Sequence, residues 1–243
     1  MHMDYWMLFG LFTTLFDKIQ MKLTFMQLRK YILKEATHDL RFLLNRSYRK
    51  KSALNLVSNK YLLSVDERNY MARCVFSDSK SIFRRNKIVD ISKIKGQSIL
   101  IDGYNVLITV ETIFQEDCAS IILCDDGIIR DLNAVFGKYK FNDKTKDVLT
   151  DILSLIKKYG PSEIKFFFDR QVSFSAKLAN LTEEIIDFQG LKGEAILSKI
   201  VDFEIIKLSR AKNGIVATSD GVIIDKVNRV VDLPFHFFRK IEN

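Results

Sequence analysis

Three short, predominantly apolar runs in the second half of the chain each end at an aspartate. The runs are residues 98–101, 164–168 and 215–218, and the aspartates are Asp102, Asp169 and Asp220. A short apolar run bounded by turn residues indicates a strand that is buried on both faces, as in a parallel sheet. Because the carboxyl ends of parallel strands lie along one edge, we expect the three carboxylates to meet there.

Segments of helical periodicity separate these runs. Helices are predicted over residues 145–159, 176–186 and 194–200, and further strands over 203–208 and 229–232. The first helix is expected to end at Gly160-Pro161, and Asp126-Gly127 is typical of the turn of a β-hairpin between residues 121–124 and 128–129. Strands that alternate with helices predict an α/β fold with a doubly wound, Rossmann-like parallel sheet.

The positive charge is concentrated before residue 96. Residues 22–95 hold 18 Lys and Arg against 6 Asp and Glu, a net charge of +12, whereas residues 96–243 hold 19 against 22, a net charge of −3. We predict an apolar extension at residues 1–21, a basic helical domain at 22–95, a linker at 87–96 and the α/β domain at 96–243. A basic domain joined to a mildly acidic one suggests that the first contacts a polyanion.

Cationic clusters interleaved with Tyr48 and Phe83 lie at the predicted helix ends of the basic domain. We expect these side chains to contact RNA phosphates while the rings stack on bases. The predicted RNA-binding residues are Arg41, Arg46, Arg49, Lys50, Lys51, Arg84, Arg85 and, beside Asp169, Arg170. The alternatives are that the clusters are solvated helix ends and that Arg170 forms an ion pair with Asp169.

The few cysteines and histidines restrict both the metal chemistry and the compartment. Three cysteines without a CxxC pair fit a reducing interior, so a cytoplasmic location is expected. No His/Cys cluster has the spacing of a zinc site, so a metal ion must bind oxygen ligands. The apolar run at residues 5–16 is too short to span a bilayer, and no membrane span is expected.

Converging carboxylates raise one another's pKa unless a cation compensates, so the aspartates predict a Mg²⁺ or Mn²⁺ site. Such an ion positions and ionises water and neutralises charge on a phosphodiester. We expect Asp102 to be the principal ligand and Asn105 to orient a water or a phosphate. Asp126 is a weaker candidate ligand, because the Asp-Gly turn is by itself a reason for an aspartate at that position. For each aspartate the structural alternative is a helix cap or a turn former.

The motif Ile101-Asp-Gly-Tyr-Asn-Val106 resembles the opening motif of NYN domains in the PIN-like nuclease superfamily. Phe168-Asp169 and Ala217-Thr-Ser-Asp220 resemble its later acidic motifs in the same order. With the basic segment around 41–48 and the hairpin at 125–131, residues 23–233 look like an archaeal family that fuses a basic helical domain of unknown function to a PIN-like domain. The resemblance implies a metal-dependent ribonuclease with Asp102, Asp169 and Asp220 at the superfamily's acidic positions. Its further acidic position stays open among Glu111, Asp126, Asp131 and Asp225.

The leading hypothesis is therefore a ribonuclease that holds RNA on the basic domain and hydrolyses it at the acidic pocket. The alternative is a non-catalytic RNA- or ribosome-binding protein with a degenerate pocket. A haloacid-dehalogenase-type phosphatase ranks last, because it needs a second aspartate where Tyr104 stands. The expected partners are transfer, ribosomal or messenger RNA and, in a homodimer, a second copy of the chain; no redox or nucleotide cofactor is indicated.

Overall fold

The computed structural model describes residues 26–115, 120–132, 139, 141–142 and 144–242. The apolar extension predicted at residues 1–21 lies outside these ranges. The chain divides into two compact units at residues 77 and 78, and each is described by itself.

The first unit consists of helices: α1 (residues 26–45), α2 (Lys50–Lys60) and α3 (Val65–Cys74). Apolar side chains at helical spacing form its core, which contains Ala36, Leu40, Ala53, Val57, Leu63, Met71 and Val75. The Ser-x-x-Glu spacing of Ser64 and Glu67 predicts a capping box at the start of α3, and the structure contains it. The Ser64 hydroxyl accepts from the Glu67 backbone N–H at 3.3 Å, and the Glu67 carboxylate accepts from the Ser64 N–H at 2.8 Å.

The second unit contains a parallel sheet and its flanking helices. It begins with helix α4 (Asp78–Arg85) and a 3₁₀ turn at Ile91–Ile94. The elements that follow are β1 (Ser98–Asp102), α5 (Gly103–Ile113), β2 (Ile121–Leu123), β3 (Ile129–Asp131), α6 (Thr145–Tyr159), β4 (Glu163–Asp169), α7 (Ser175–Phe188), β5 (Gly193–Ser198), α8 (Val201–Lys212), β6 (Ile215–Ala217), α9 (Gly221–Lys226), β7 (Val230–Val231) and α10 (Leu233–Glu242). The antiparallel pair β2–β3 is the predicted hairpin.

The main sheet has five parallel strands in the order β5-β4-β1-β6-β7. The chain winds outward from β1 through β4 to β5 and then returns to the other side of β1 for β6 and β7. This reversal at β1 is the arrangement of a Rossmann-like doubly wound sheet, so the predicted fold class is confirmed. It places the crevice where ligands bind in such folds at the carboxyl end of β1.

Both faces of the sheet are covered. Ile99, Ile101 and Phe168 point into a core with helices α5, α6, α7 and α10. Leu100 and Phe167, the alternate residues, point into a second core with α8 and α9. Strands buried on both faces explain why β1 and β4 are almost continuously apolar.

The segment predicted to be a linker pairs with the edge of the sheet. Ile88 forms a parallel bridge with Val230, and the Val89 N–H donates to the Val230 carbonyl at 2.8 Å. The division between compact units lies at residues 77 and 78, before α4, whereas the predicted border lies between residues 95 and 96.

Two element predictions are wrong in type. Residues 194–200, predicted as a helix, contain most of strand β5, and residues 203–208, predicted as a strand, lie within helix α8. Glu, Ala, Leu and Lys favour helices in isolation, but pairing with β4 overrides that propensity. Helix α8 buries only Ile205 and Ser209, four residues apart, so its apolar face is too narrow to dominate the pattern.

Two of the three cysteines, Cys74 and Cys124, are buried, and Cys118 lies outside the described residues. Among the helices that the structure describes, none is long and apolar enough to cross a membrane.

Candidate active site

A cavity of about 430 Å³ opens at the carboxyl end of the parallel sheet. Its wall combines carboxylates with aromatic and aliphatic side chains. The lining residues are Asp102, Tyr104, Asn105, Ile108, Tyr139, Asp169, Gln171, Val172, Val201, Asp202 and Asp220. All of them belong to the second unit.

The structure brings the three predicted aspartates to this cavity. Asp102 ends β1, Asp169 ends β4, and Asp220 follows β6, which pairs with β1 on the side opposite β4. A fourth carboxylate, Asp202, comes from the first turn of α8. Sequence reasoning missed Asp202 because it assigned β5 to a helix; with β5 recognised as a strand, Asp202 follows a fourth strand of the same sheet.

Asp102 is the carboxylate most affected by its surroundings. Burial raises the pKa of Asp102 to about 7, and the negative charges of Asp220 and Asp202 act in the same direction. The Thr218 hydroxyl donates to its Oδ2 at 2.9 Å and opposes the rise only in part. Burial likewise raises the pKa of Asp202, with Asp220 and Asp169 adding to it.

Asp169 and Asp220 also organise the turns in which they lie. The Asp169 Oδ1 accepts from the Gln171 N–H at 2.8 Å, and the Asp220 Oδ1 accepts from the N–H groups of Val222 and Ile223 at the start of α9. The expected capping and turn roles are therefore real for these two residues. They are compatible with a ligand role, because a carboxylate has two oxygens and several lone pairs.

Asn105 is held by the segment that follows β6. Its Oδ1 accepts from the Ser219 N–H at 3.0 Å and from the Ser219 hydroxyl. The Thr218 hydroxyl joins the same segment to the cavity, because it donates to Asp102 and accepts from the Asp220 N–H at 3.0 Å. Residues from β1, α5 and the β6 loop thus form one hydrogen-bonded unit beneath the cavity.

Gly103 lets helix α5 start directly against β4. A Cβ atom at this position would lie 2.3 Å from Cε1 of Phe168 and 2.8 Å from the carbonyl oxygen of Phe167. Phe168 is fully buried and has no room to withdraw. We therefore expect Gly103→Ala to lower the free energy of unfolding by about 3 kcal/mol, measured by urea denaturation.

Gly96→Asn is the control for that substitution. Gly96 has a φ of +65°, which Asn tolerates, and nothing lies within 4 Å of the Cβ position. We expect a change within about 0.5 kcal/mol. Equal losses in the two variants would contradict the close contact at Gly103.

In the wall of the cavity, Tyr104 has a buried hydroxyl that finds no hydrogen-bond partner among the residues that the structure describes. Burial, followed by the charge of Asp169, raises the pKa of this phenol to about 12. Its ring packs edge-on against Tyr139 and Phe168. The protonated hydroxyl is therefore a donor held close to an acidic pocket.

The donor chemistry of the cavity fits a hydrated divalent cation. Among the described residues, no three His, Cys, Asp or Glu side chains are grouped closely enough to hold one ion together. Mg²⁺, however, commonly keeps several waters and binds through one or two carboxylates plus substrate phosphates. Four aspartates around one cavity, with the pKa of Asp102 raised by burial and further by its acidic neighbours, supply that kind of environment.

None of the other acidic candidates lines the cavity. Asp126 is completely buried in an ion pair with Arg84 and Arg130, so its assignment as a metal ligand is corrected. Asp225 pairs with Arg84 and Lys80. Asp131 accepts from Thr112 and Ser120, and Glu111 accepts from Tyr139 and Thr145.

Some of the predicted RNA-binding residues are buried or donate hydrogen bonds within the protein, and others are exposed to solvent. Arg84 is corrected: it is only 5% exposed, and its guanidinium donates to Asp126 and Asp225. Lys50 donates to the Val75 carbonyl at 2.8 Å, Arg85 donates to the Asp125 carbonyl, and Arg41 is partly buried. The remaining members of the set are exposed: Arg46, Arg49, Lys51 and Arg170.

Two family profiles match the chain, one on each side of residues 88–90. A family profile described as "Domain of unknown function (DUF5616)" matches residues 91–236, which is more than half of the 243 residues. The chain belongs to the DUF5616 family. Every residue that lines the cavity lies within the DUF5616 match. A second profile, "Protein of unknown function (DUF434)", matches residues 32–87, which include Arg84.

One relative aligns with most of the chain. The DUF5616 chain is 36% identical over 203 residues to the uncharacterized protein MJ0935 of Methanocaldococcus jannaschii. The alignment covers 83% of this chain and 94% of that protein. No solved structure matches the chain.

Proposed function

We propose that the protein is a divalent-metal-dependent ribonuclease that hydrolyses RNA phosphodiester bonds at the cavity, as the resemblance to PIN-like nucleases implies. One observation carries the proposal: Asp102, Asp169, Asp202 and Asp220 surround a single cavity at the topological switch point of the sheet. The residues described as lining it include no Lys or Arg. A pocket that collects negative charge without protein cations is suited to bind Mg²⁺ or Mn²⁺.

Asp102 would be the principal ligand, because its carboxylate gains most from a neighbouring cation. Asp169, Asp202 and Asp220 would hold the ion through waters, which fits the spacing of the carboxylates. The bound ion would supply charge neutralisation for the phosphodiester and a more acidic water. Asn105, oriented by Ser219, would position a water or a phosphate oxygen.

The first unit would hold the RNA by its phosphates. Helix α2 follows the exposed N-cap residue Arg49, carries the exposed Lys51 in its first turn and has no acidic residue there. Cations at a helix N-terminus cost helix stability, because the macrodipole is already positive there. The same arrangement favours an anion such as a phosphate, which supports a binding role over a purely structural one.

The test is an assay with end-labelled RNA in Mg²⁺, Mn²⁺ or EDTA. We expect wild-type protein to cleave only with the divalent ion, and Asp169→Asn to cleave at least about a hundredfold more slowly. Asp147→Asn, an exposed aspartate in the first turn of α6, is the matched control and should cleave normally. Equal cleavage by wild type and Asp169→Asn would show that the cavity is not the active site.

The second candidate is a non-catalytic RNA- or ribosome-binding protein. The wide spacing of the carboxylates favours it, since no three of the described groups are ready to bind one ion directly. It would be supported if the protein binds RNA while no metal produces cleavage. In either case we propose a cytoplasmic location, because three cysteines without a CxxC pair fit a reducing compartment.

A further inference from the structure

Two exposed phenyl rings follow the paired strands β4 and β5 and are close in sequence to residues that line the cavity: Phe174 lies in the turn after β4, and Phe203 lies in the first turn of helix α8. Phe174 is 67% exposed and closes the turn that contains the lining residues Gln171 and Val172. Phe203 is 60% exposed and follows the lining residue Asp202. Both rings are therefore presented to solvent within two residues of the cavity wall.

The backbone of Phe174 is strained. Its φ of +64° places a bulky residue in the left-handed region, which favours glycine, and it precedes α7 without a side-chain cap bond. Packing of the ring does not compensate for this conformation, because the ring lies mostly in solvent. Strained residues that the core does not require are concentrated at functional sites.

A cation precedes each ring along the chain. Arg170 follows Asp169 after β4, and Lys199 follows Ser198 after β5; both are exposed. Asp169 and Ser198 are register partners, so the two cations leave the sheet side by side. We define Arg170, Phe174, Lys199 and Phe203 as the β4–β5 rim.

We propose that the β4–β5 rim binds the unpaired nucleotides next to the scissile phosphate, with bases stacked on Phe174 and Phe203 and phosphates at Arg170 and Lys199. The inference rests on the proposed function and names the residues that would determine its specificity for unpaired RNA. Cations interleaved with exposed aromatic rings are the chemistry of single-strand binding, since every base has a face that stacks. Paired bases in a duplex keep their faces stacked on each other, so the rim discriminates against duplex RNA.

The test measures the binding of a fluorescein-labelled oligoadenylate of about ten nucleotides by anisotropy. The full chain carries Asp102→Asn so that the oligonucleotide stays intact. We expect Phe174→Ala and Phe203→Ala each to weaken binding by roughly tenfold and to leave the affinity for a duplex of equal length unchanged. Phe188→Ala, at the far end of α7 and 90% exposed, is the matched control and should bind like the parent.

A second variant separates binding from folding. Asn tolerates the left-handed region, so Phe174→Asn should raise the midpoint temperature of unfolding while it weakens oligoadenylate binding. A ring with a merely structural role would give the opposite change in temperature. The combination of higher stability and lower affinity is thus specific to the proposed role.

The outcomes distinguish this inference from the proposed function. Weaker binding in both ring variants, without cleavage by wild type in any metal, would sustain the rim and reject the nuclease. Metal-dependent cleavage with unchanged binding in both ring variants would reject only the rim. Absence of oligoadenylate binding would reject the rim and leave the nuclease to the cleavage assay, and dissociation of a homodimer by Phe203→Ala would show the rim to be an interface between copies.

Discussion

Asp126→Asn is expected to lower the free energy of unfolding of the second unit by about 3 to 5 kcal/mol. Asp126 is 0% exposed and accepts from Arg84 at 2.9 Å and from both terminal nitrogens of Arg130 at 2.7 and 2.8 Å. Burial alone would raise the pKa of Asp126, but the two guanidinium groups outweigh it and lower that pKa. Loss of this carboxylate leaves two cations buried with too little negative charge.

The Asp126→Asn substitution should also change the structure at the cavity. Arg84 also donates to the Gly221 carbonyl at 3.1 Å, and Arg130 donates to the Ser219 carbonyl at 2.9 Å. Both guanidinium groups therefore hold the segment that carries Asp220. Displacement of either would move one side of the proposed active site.

Urea denaturation followed by circular dichroism measures the expected loss. The control is Lys212→Gln, which removes an exposed ion pair with Glu163 and should cost no more than about 1 kcal/mol. Because the pKa of Asp126 is lowered, its contribution is present above the ordinary value of 3.8 and is lost as the pH falls below it. An Asp126→Asn variant as stable as Lys212→Gln would contradict the buried network.

Asp102→Asn is expected to change stability in the opposite direction. Without divalent metal at pH 8, the variant should be more stable than wild type by about 4 kcal/mol. The rise in pKa from 3.8 to about 7, in which the opposing hydrogen bond from Thr218 is already included, corresponds to that difference. An amide keeps the shape of the side chain and removes the charge that burial and the neighbouring aspartates penalise.

The raised pKa of Asp102 also makes the stability of the wild-type protein depend on pH. Between pH 4 and pH 7 folded Asp102 retains a proton that the unfolded chain releases, so wild-type stability falls as the pH rises through that window. The stability difference between Asp102→Asn and wild type should therefore vanish near pH 4 and reach its maximum above pH 7. Thermal or urea unfolding at several pH values measures it.

Metal addition then narrows the difference in stability between wild type and Asp102→Asn. Mg²⁺ or Mn²⁺ at about a hundred times its dissociation constant should stabilise wild type by about 2.7 kcal/mol and leave Asp102→Asn unchanged. Asp151→Asn, an exposed aspartate of α6, should respond to metal like wild type. Equal stabilisation of all three proteins would contradict a metal site that depends on Asp102.

The sequence predicts the strand-end aspartates well because their placement depends on local pattern. An apolar run followed by Asp specifies both a buried strand and the polar residue at its end, and β1 and β4 follow that rule. The same rule fails for β5, whose residues Glu194, Ala195 and Leu197 favour a helix and whose burial is only partial. Asp202 was lost with it, because its role depends on the strand that precedes it.

What the sequence by itself determined is the fold class, the three strand-end carboxylates and the capping box of α3. Only the tertiary structure decided which other charges reach the cavity, because this depends on contacts between residues far apart in the chain. Arg84 and Asp126 are 42 residues apart, and each is typical of a surface or a turn in isolation. Burial makes them partners in an ion pair, whereas burial and neighbouring carboxylates together raise the pKa of Asp102.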